Sequence, residues 1–226
     1  MNGSFWKKRK AGSVFLTVLL LVTLLAGCGI NERKAEKYVQ ANLDLTFQGQ
    51  TQEAKEILGA SDSDLKKVYE NGINAFVQDY LLNGVETEND FSETYGVLIK
   101  EIFSSARYQV SGVKKTGSKT CEVTVKYQPV DVFTRFMPKL KEESEKIQAD
   151  KDAGKYSGTD EEIKEAMVLD YMTGAYSLLR SSYLDMQYGE KQEYTFTVTQ
   201  KGRNTWSIGD EELNGFIERI LELDKL

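Results

Sequence analysis

Few side chains in this sequence could carry covalent chemistry. Histidine is absent, which removes Ser-His-Asp and Cys-His catalysis and every metal site built on imidazole. The sequence holds no Walker A loop, dinucleotide-binding glycine fingerprint or nucleophile elbow. A catalyst here would have to use carboxylates, Lys or Tyr. Two cysteines, Cys28 and Cys121, supply the only thiols. Cys28 ends an apolar run among small residues, in "LLAGCG". Cys121 alternates with Val123, Val125 and Tyr127 in "CEVTVKY", the pattern of a small buried residue on a strand. Reactive thiols need a positive, exposed setting, which this stretch does not offer.

Carboxylates are abundant, and their spacing points to helix ends more than to chemistry. In "DKDAGKYSGTDE", Asp150, Asp152 and Glu161 fall at positions 1, 3 and 12 of an EF-hand loop, but Lys155 stands where the loop needs glycine. Lys151 and Lys155 also dilute the negative charge, so a solvated loop and no metal are expected. Glu161 with Glu162, and Glu211 with Glu212, sit in first helical turns, where the helix dipole favours acids. Adjacent residues do not share a helix face, so neither pair resembles an acid/base couple. No cofactor is expected. Tyrosine is more suggestive, with twelve in the chain. Tyr171, Tyr176, Tyr183 and Tyr188 punctuate one long helical stretch, while Tyr69, Tyr80 and Tyr95 lie on earlier apolar faces. Such residues serve as core or boundary positions with hydroxyls reaching water, or line a pocket or partner surface.

The N-terminal stretch gives the protein an address. Lys7, Lys8, Arg9 and Lys10 form a positive block with no acid before them, and an uninterrupted apolar run follows from Val14 to Ala26. That run is too short to cross a bilayer comfortably as a permanent helix. Positive block, apolar run and small-residue boundary are the order of a secretory signal peptide. Leu25, Ala26 and Gly27 leading into Cys28 resemble the lipobox of bacterial lipoproteins. The resemblance implies that residues 1–27 are cleaved and that Cys28 becomes the first residue, its thiol bearing a diacylglyceryl group with acyl chains such as palmitate. Small residues before the cysteine let a processing enzyme close on the backbone, and a thiolate is nucleophilic enough to form the thioether. Two acyl chains anchor stably where one is marginal, each buried methylene adding about 0.8 kcal/mol. The expected location is the extracytoplasmic side of the cell membrane, held through the lipid on Cys28.

Cleavage takes four of the 29 Lys and Arg and none of the 35 Asp and Glu, leaving a net charge of about −10. This argues against nucleic acid as a partner, and against a basic patch binding anionic lipid. With Cys28 acylated, Cys121 has no intramolecular partner, so the exported body must rely on its apolar core.

The elements that position these residues follow from periodicity. Residues 28–31 form a lipidated terminus and a tether spanning at most about 15 Å. A single α+β domain is expected over residues 32–226. Ala35, Val39, Leu43 and Phe47 share a helix face, stopped by Gly49, and a short segment from Thr51 to Leu58 ends at Gly59. A third apolar stripe runs from Leu65 to Leu81 behind "SDSD", with Gly84 as its stop, and a fourth from Phe91 to Phe103 behind Thr87, Asn89 and Asp90. The period then changes to 2 around Gly117, predicting a β-hairpin. Pro129 and Pro138 bracket an expected irregular crossing, followed by a charged, solvated helix. Thr159 and Glu162 form a predicted capping box for a long helix through Ile163, Met167, Tyr171, Leu178 and Met186. A second hairpin pairs Tyr194, Phe196 and Val198 with Trp206 and Ile208 across "KGRN", and Asp210 is expected to cap a last helix.

The helix "AEKYVQANLDLTFQGQTQEAKEIL" after the lipobox, and the closing "YTFTVTQKGRNTWSIGDEELNGFIERIL", resemble the uncharacterised surface lipoproteins of Gram-positive bacteria with an NTF2-like or cystatin-like body. The resemblance implies helices packed on one face of a curved antiparallel sheet made of the two hairpins, and it implies no activity, because such folds host binders and enzymes alike. The long helix is expected to cover the sheet with Met167, Tyr171 and Leu178. Tyr127, Tyr171, Phe196 and Trp206 are then the candidate lining of a ligand cavity. The function expected is a non-catalytic binding or scaffolding role in the cell envelope, with another envelope protein or a small apolar ligand as partner. The alternatives are a carrier of an apolar ligand in an internal cavity, and a carboxylate- or Tyr-based hydrolase of envelope polymers.

Overall fold

A computed structural model of the chain describes residues 31–82, 85, 91–202 and 205–226. The leader, Cys28, Gly84, the Thr87–Asp90 start signal and the tip of the "KGRN" turn lie outside these residues. Helix α1 (Glu32–Gln48) is N-capped by Asn31, whose side chain accepts the Arg33 amide. It ends where Gly49 turns left-handed at φ 64° and donates its amide to the Asp44 and Leu45 carbonyls. A Cβ at Gly49 would come within 2.8 Å of the Tyr69 ring, so both backbone and space require glycine. Helix α2 (Gln52–Leu58) stops at left-handed Gly59. Ser61 caps α3 (Asp62–Phe76) by accepting the Asp64 amide, and α3 runs on into a π turn at Val77–Leu81. Helix α4 (Ser92–Ser104) completes the first helical layer.

The strands are β1 (Arg107–Lys115), β2 (Thr120–Gln128), β3 (Gln192–Gln200) and a two-residue β4 (Trp206–Ser207), which leaves Ile208 outside the return strand. They form one open antiparallel sheet in the order β1-β2-β3-β4. Val123 opposes Phe196, Cys121 opposes Val198, and Trp206 opposes Gln200, so these side chains share the buried face. Glu122, Lys126, Thr195 and Thr197 point to solvent. One wet face and one dry face is the usual state of an antiparallel sheet.

Helix α1 is the central helix. It lies against β1, β2 and β3 on one side and α2, α3 and α4 on the other, which is why Ala35, Val39, Ala41, Leu43, Leu45 and Phe47 are all buried. Helix α7 (Asp210–Ile220) packs beside it on β3. Its N-cap is Gly209, not Asp210, and Asp210 begins the first turn.

Two expectations fail in the segment between β2 and β3. The span bracketed by prolines is helical: α5 runs Val132–Asp152 with Pro138 inside it. Proline removes the amide that would bond the Thr134 carbonyl, but Phe133, Phe136, Leu140 and Ile147 form a buried stripe. Burial of that stripe outweighs local propensity. The long helix α6 (Asp160–Leu184), about 37 Å long, begins with the capping box of Thr159 and Glu162. It does not cover the sheet. It packs along α5 and touches α4, because α1 already occupies the apolar face of the sheet.

Helices α5 and α6 thus form a hairpin. Its root is pinned by a β-bridge between Val130 and Tyr188, by the Gln187 amide donating to Asp131 Oδ1 at 2.7 Å, and by the Gly189 amide donating to the Pro129 carbonyl at 2.8 Å. Beyond Leu140 and before Met172, only Ile147 and Met167 are buried. This outer half is an arm of two solvated helices. No helix among the described residues is long and apolar enough to cross a membrane.

Candidate functional site

Three of the four proposed cavity residues share the buried face of the sheet, but Tyr127, opposite Gln192, and Trp206, opposite Gln200, stand at its two ends. Tyr127 on β2, Phe196 on β3 and Trp206 on β4 are all buried on that face. Phe216 of α7 occupies the space before Tyr127 and Phe196. Its ring lies 5.2 Å from Tyr127, 5.3 Å from Phe196, 5.3 Å from Tyr194 and 5.9 Å from Phe47. These separations are those of edge-to-face aromatic packing. The hydroxyls turn outward: Tyr127 donates to Gln192 Oε1 and Tyr194 to the Glu212 carbonyl, both at 2.8 Å. Desolvation raises the pKa of both groups, with Arg219 nearby pulling the other way.

Tyr171 belongs to a different cluster. It sits on α6 near Tyr95 of α4, whose hydroxyl donates to the Met172 carbonyl at 2.8 Å and whose ring stands edge-on to Tyr176 at 5.6 Å. Burial raises the pKa of Tyr95 and of Tyr171. The four residues therefore do not share one site. A void of about 10 Å³ lies between α1, α3 and α4, lined by Leu45, Val68, Ile73 and Phe103 among others. It could hold about one water and nothing larger.

A serine beside a lysine escaped the sequence reading. Ser182 Oγ of α6 accepts from Lys139 Nζ of α5 at 3.4 Å. Serine–lysine pairs can act as nucleophile and base, but Ser182 is wholly excluded from solvent, and a substrate carbonyl cannot reach its oxygen. The pair belongs to helix packing. Only residue identity at positions 43 apart linked them, and periodicity offers no signal for such a contact.

Among the acids, the "DKDAGKYSGTDE" stretch is divided between two helices. Asp150 and Asp152 lie in the last turn of α5, Glu161 in the first turn of α6, and Lys155 Nζ sits 2.5 Å from Asp150 Oδ1. Among the described residues, no three His, Cys, Asp or Glu side chains are placed to hold a metal ion. Glu222, in a left-handed conformation at φ 53°, is nearly buried and bonds Lys225 Nζ at 2.5 Å. Cys121 is free and buried on β2. Desolvation raises its pKa, Glu32 adds to the rise, and Lys115 opposes it. That is the setting of an inert thiol.

The elements define an α+β protein: helices on one face of an open four-stranded antiparallel sheet, with a helical arm inserted between β2 and β3. No protein-family model matches the chain, and no curated protein matches its sequence. In three dimensions it is similar to a solved structure from Bacillus subtilis subsp. subtilis strain 168, described as "a putative lipoprotein (ycdA)". The TM-score is 0.51 at 15% identity, over 83% of this chain and 56% of that one. The chain thus spans little more than half the length of that neighbour, and the likeness is one of fold.

Proposed function

We propose that this protein is a lipid-anchored lipoprotein on the extracytoplasmic side of the cell membrane, with a non-catalytic binding or scaffolding role. The observation that carries the reading is the order of basic block, apolar run and small residues ending at Cys28, followed within four residues by the start of the folded body at Glu32. The fold-level likeness to the structure described as "a putative lipoprotein" supports it. So does the chemistry of the interior, where Phe216 fills the space before Tyr127 and Phe196 and Ser182, beside Lys139, is sealed from solvent. A helix followed by an antiparallel sheet that packs across it fits a cystatin-like body carrying α5 and α6 as an insertion. Its partner is an envelope protein docking on the exposed helical arm or on the wet sheet face.

The test is mass spectrometry of the N-terminus of protein isolated from membranes, with Cys28→Ser as the companion variant. Diacylglyceryl on Cys28, and loss of membrane retention in the variant, are the expected results. An unmodified Cys28, or retention unchanged by the substitution, overturns the anchor.

A further inference from the structure

The net charge of the whole chain hides a local reversal. Three stretches far apart in sequence meet at one end of the sheet. The start of α1 lies against the end of β1, where the Lys115 amide donates to Glu32 Oε1 at 3.2 Å. The β1–β2 turn lies beside the β3–β4 turn, since the Gln200 amide donates to the Lys119 carbonyl at 2.8 Å. This convergence brings Arg33, Lys34, Lys37, Lys115, Lys119 and Lys201 to one end, and every one of them is exposed.

None of the six is in an ion pair among the described residues. Elsewhere cations are matched, as in Lys66–Asp62, Lys100–Glu70, Arg135–Asp131 and Lys155–Asp150. The acids at this end are fewer: Glu32, held by the Lys115 amide, and half-buried Glu36. Glu122 faces Lys114 across the strands, and Asp210 lies further in beside Tyr38. A charged surface responds to charges within about 8 Å at physiological salt, so the local excess governs what this end meets.

We propose that this end of the sheet is a docking surface for anionic lipid headgroups. The assignment rests on the lipid anchor at Cys28 proposed above, because the tether from Cys28 to Glu32, at most about 15 Å extended, holds this same end at the bilayer. Acyl chains supply membrane attachment, and the lysines and arginine fix the orientation, each basic side chain being drawn to phosphate-bearing headgroups. The root of the α5–α6 arm, at Pro129–Asp131 and Gln187–Gly189, lies at the other end of β2 and β3, about 27 Å away. Seating the basic end on the membrane turns the arm's root outward.

Lysine footprinting on the full chain isolated from membranes tests this. The protein is placed in phosphatidylcholine vesicles with or without a third of phosphatidylglycerol and acetylated by an uncharged reagent, and each lysine's rate is read by mass spectrometry. Lys34, Lys115, Lys119 and Lys201 are expected to react several-fold more slowly on the anionic vesicles only, and to recover at about 0.5 M salt, where the Debye length is roughly 4 Å. Exposed Lys67 and Lys151 are expected to react alike on both vesicles. The variant combining Arg33→Gln, Lys34→Gln and Lys119→Gln, all exposed positions, is expected to lose the protection at Lys115. Equal rates on the two vesicles, or equal protection of Lys151, overturn the proposal. The same spectra report lipid on Cys28. Lipid present with equal rates removes the docking surface alone. Lipid absent with protection present removes the anchor alone, and absence of both removes both.

Discussion

The sheet body and the α5–α6 arm are held together by different means. In the body, Phe216 stands at the centre of four rings from α1, β2 and β3, and α1 has no exposed residue from Tyr38 to Phe47. In the arm's outer half, only Ile147 and Met167 are buried, and the remaining stability comes from end signals and local charge pairs such as Lys146–Glu143 at 3.1 Å. Pairs of that kind contribute little each. The contrast teaches that the arm can open or bend with small cost to the rest, whereas the body unfolds as a unit.

The sharpest way to break the comparison is Phe216→Ala. Removing the hub leaves a cavity bordered by aromatic rings and should cost about 3–5 kcal/mol, read as a shifted midpoint in denaturant unfolding of the whole body. A change under about 1 kcal/mol would mean that the rings repack and that Phe216 is no hub. Ile147→Ala in the arm should cost about 2 kcal/mol, the low end for such a truncation. Hydrogen exchange should show that loss as faster opening of residues 141–170 with the sheet amides unmoved. Equal acceleration in the sheet would show that arm and body are one cooperative unit.

Alkaline pH should act mainly on the body. Burial raises the pKa of Tyr95 and Tyr108, the latter helped by its bond to Asp44, and pushes Tyr80 up to about 12. The folded state therefore holds protons that the unfolded state releases near pH 10. Stability is fully present below about pH 10 and falls as pH rises toward the folded values. Midpoints measured from pH 8 to 11.5 should decline only above pH 10. A flat profile would mean that these hydroxyls ionise freely in the native state.

The smallest effect expected is at the arm's capping box. Thr159→Ala removes the acceptor of the Glu162 amide and should cost about 1 kcal/mol, seen as fraying of the first turn of α6. Glu162, its pKa lowered by hydrogen bonds from Thr159, loses that contribution as pH falls through its folded value. No change in the exchange of residues 160–163 on either treatment would remove the box as a helix start.

Local signals were legible where one residue type does one job. Gly49 and Gly59 end helices in the left-handed region, Ser61 and Thr159 start them, and the period-2 run from Cys121 to Tyr127 lies buried on alternate positions. Each depends on contacts within a few residues, so the order of residues alone settles them. Pro138 misled because local propensity is weak beside the burial of Phe133, Phe136 and Leu140.

What the sequence determined by itself was the sequence of elements and the leader-like stretch ending at Cys28. Which helix covers the sheet was decided only in three dimensions. Helices α1 and α6 both carry apolar faces, and a stripe of such residues states how much surface must be buried, not against what. The burial of α1 from Tyr38 to Phe47 between sheet and helices, and the short link from Gln128 to Val132 that sends α5 away from the sheet, leave α6 to pair with α5. The basic end has the same origin. Arg33, Lys119 and Lys201 lie far apart in an acidic chain, and their charges act together only because antiparallel pairing brings two turns and a helix start to one place.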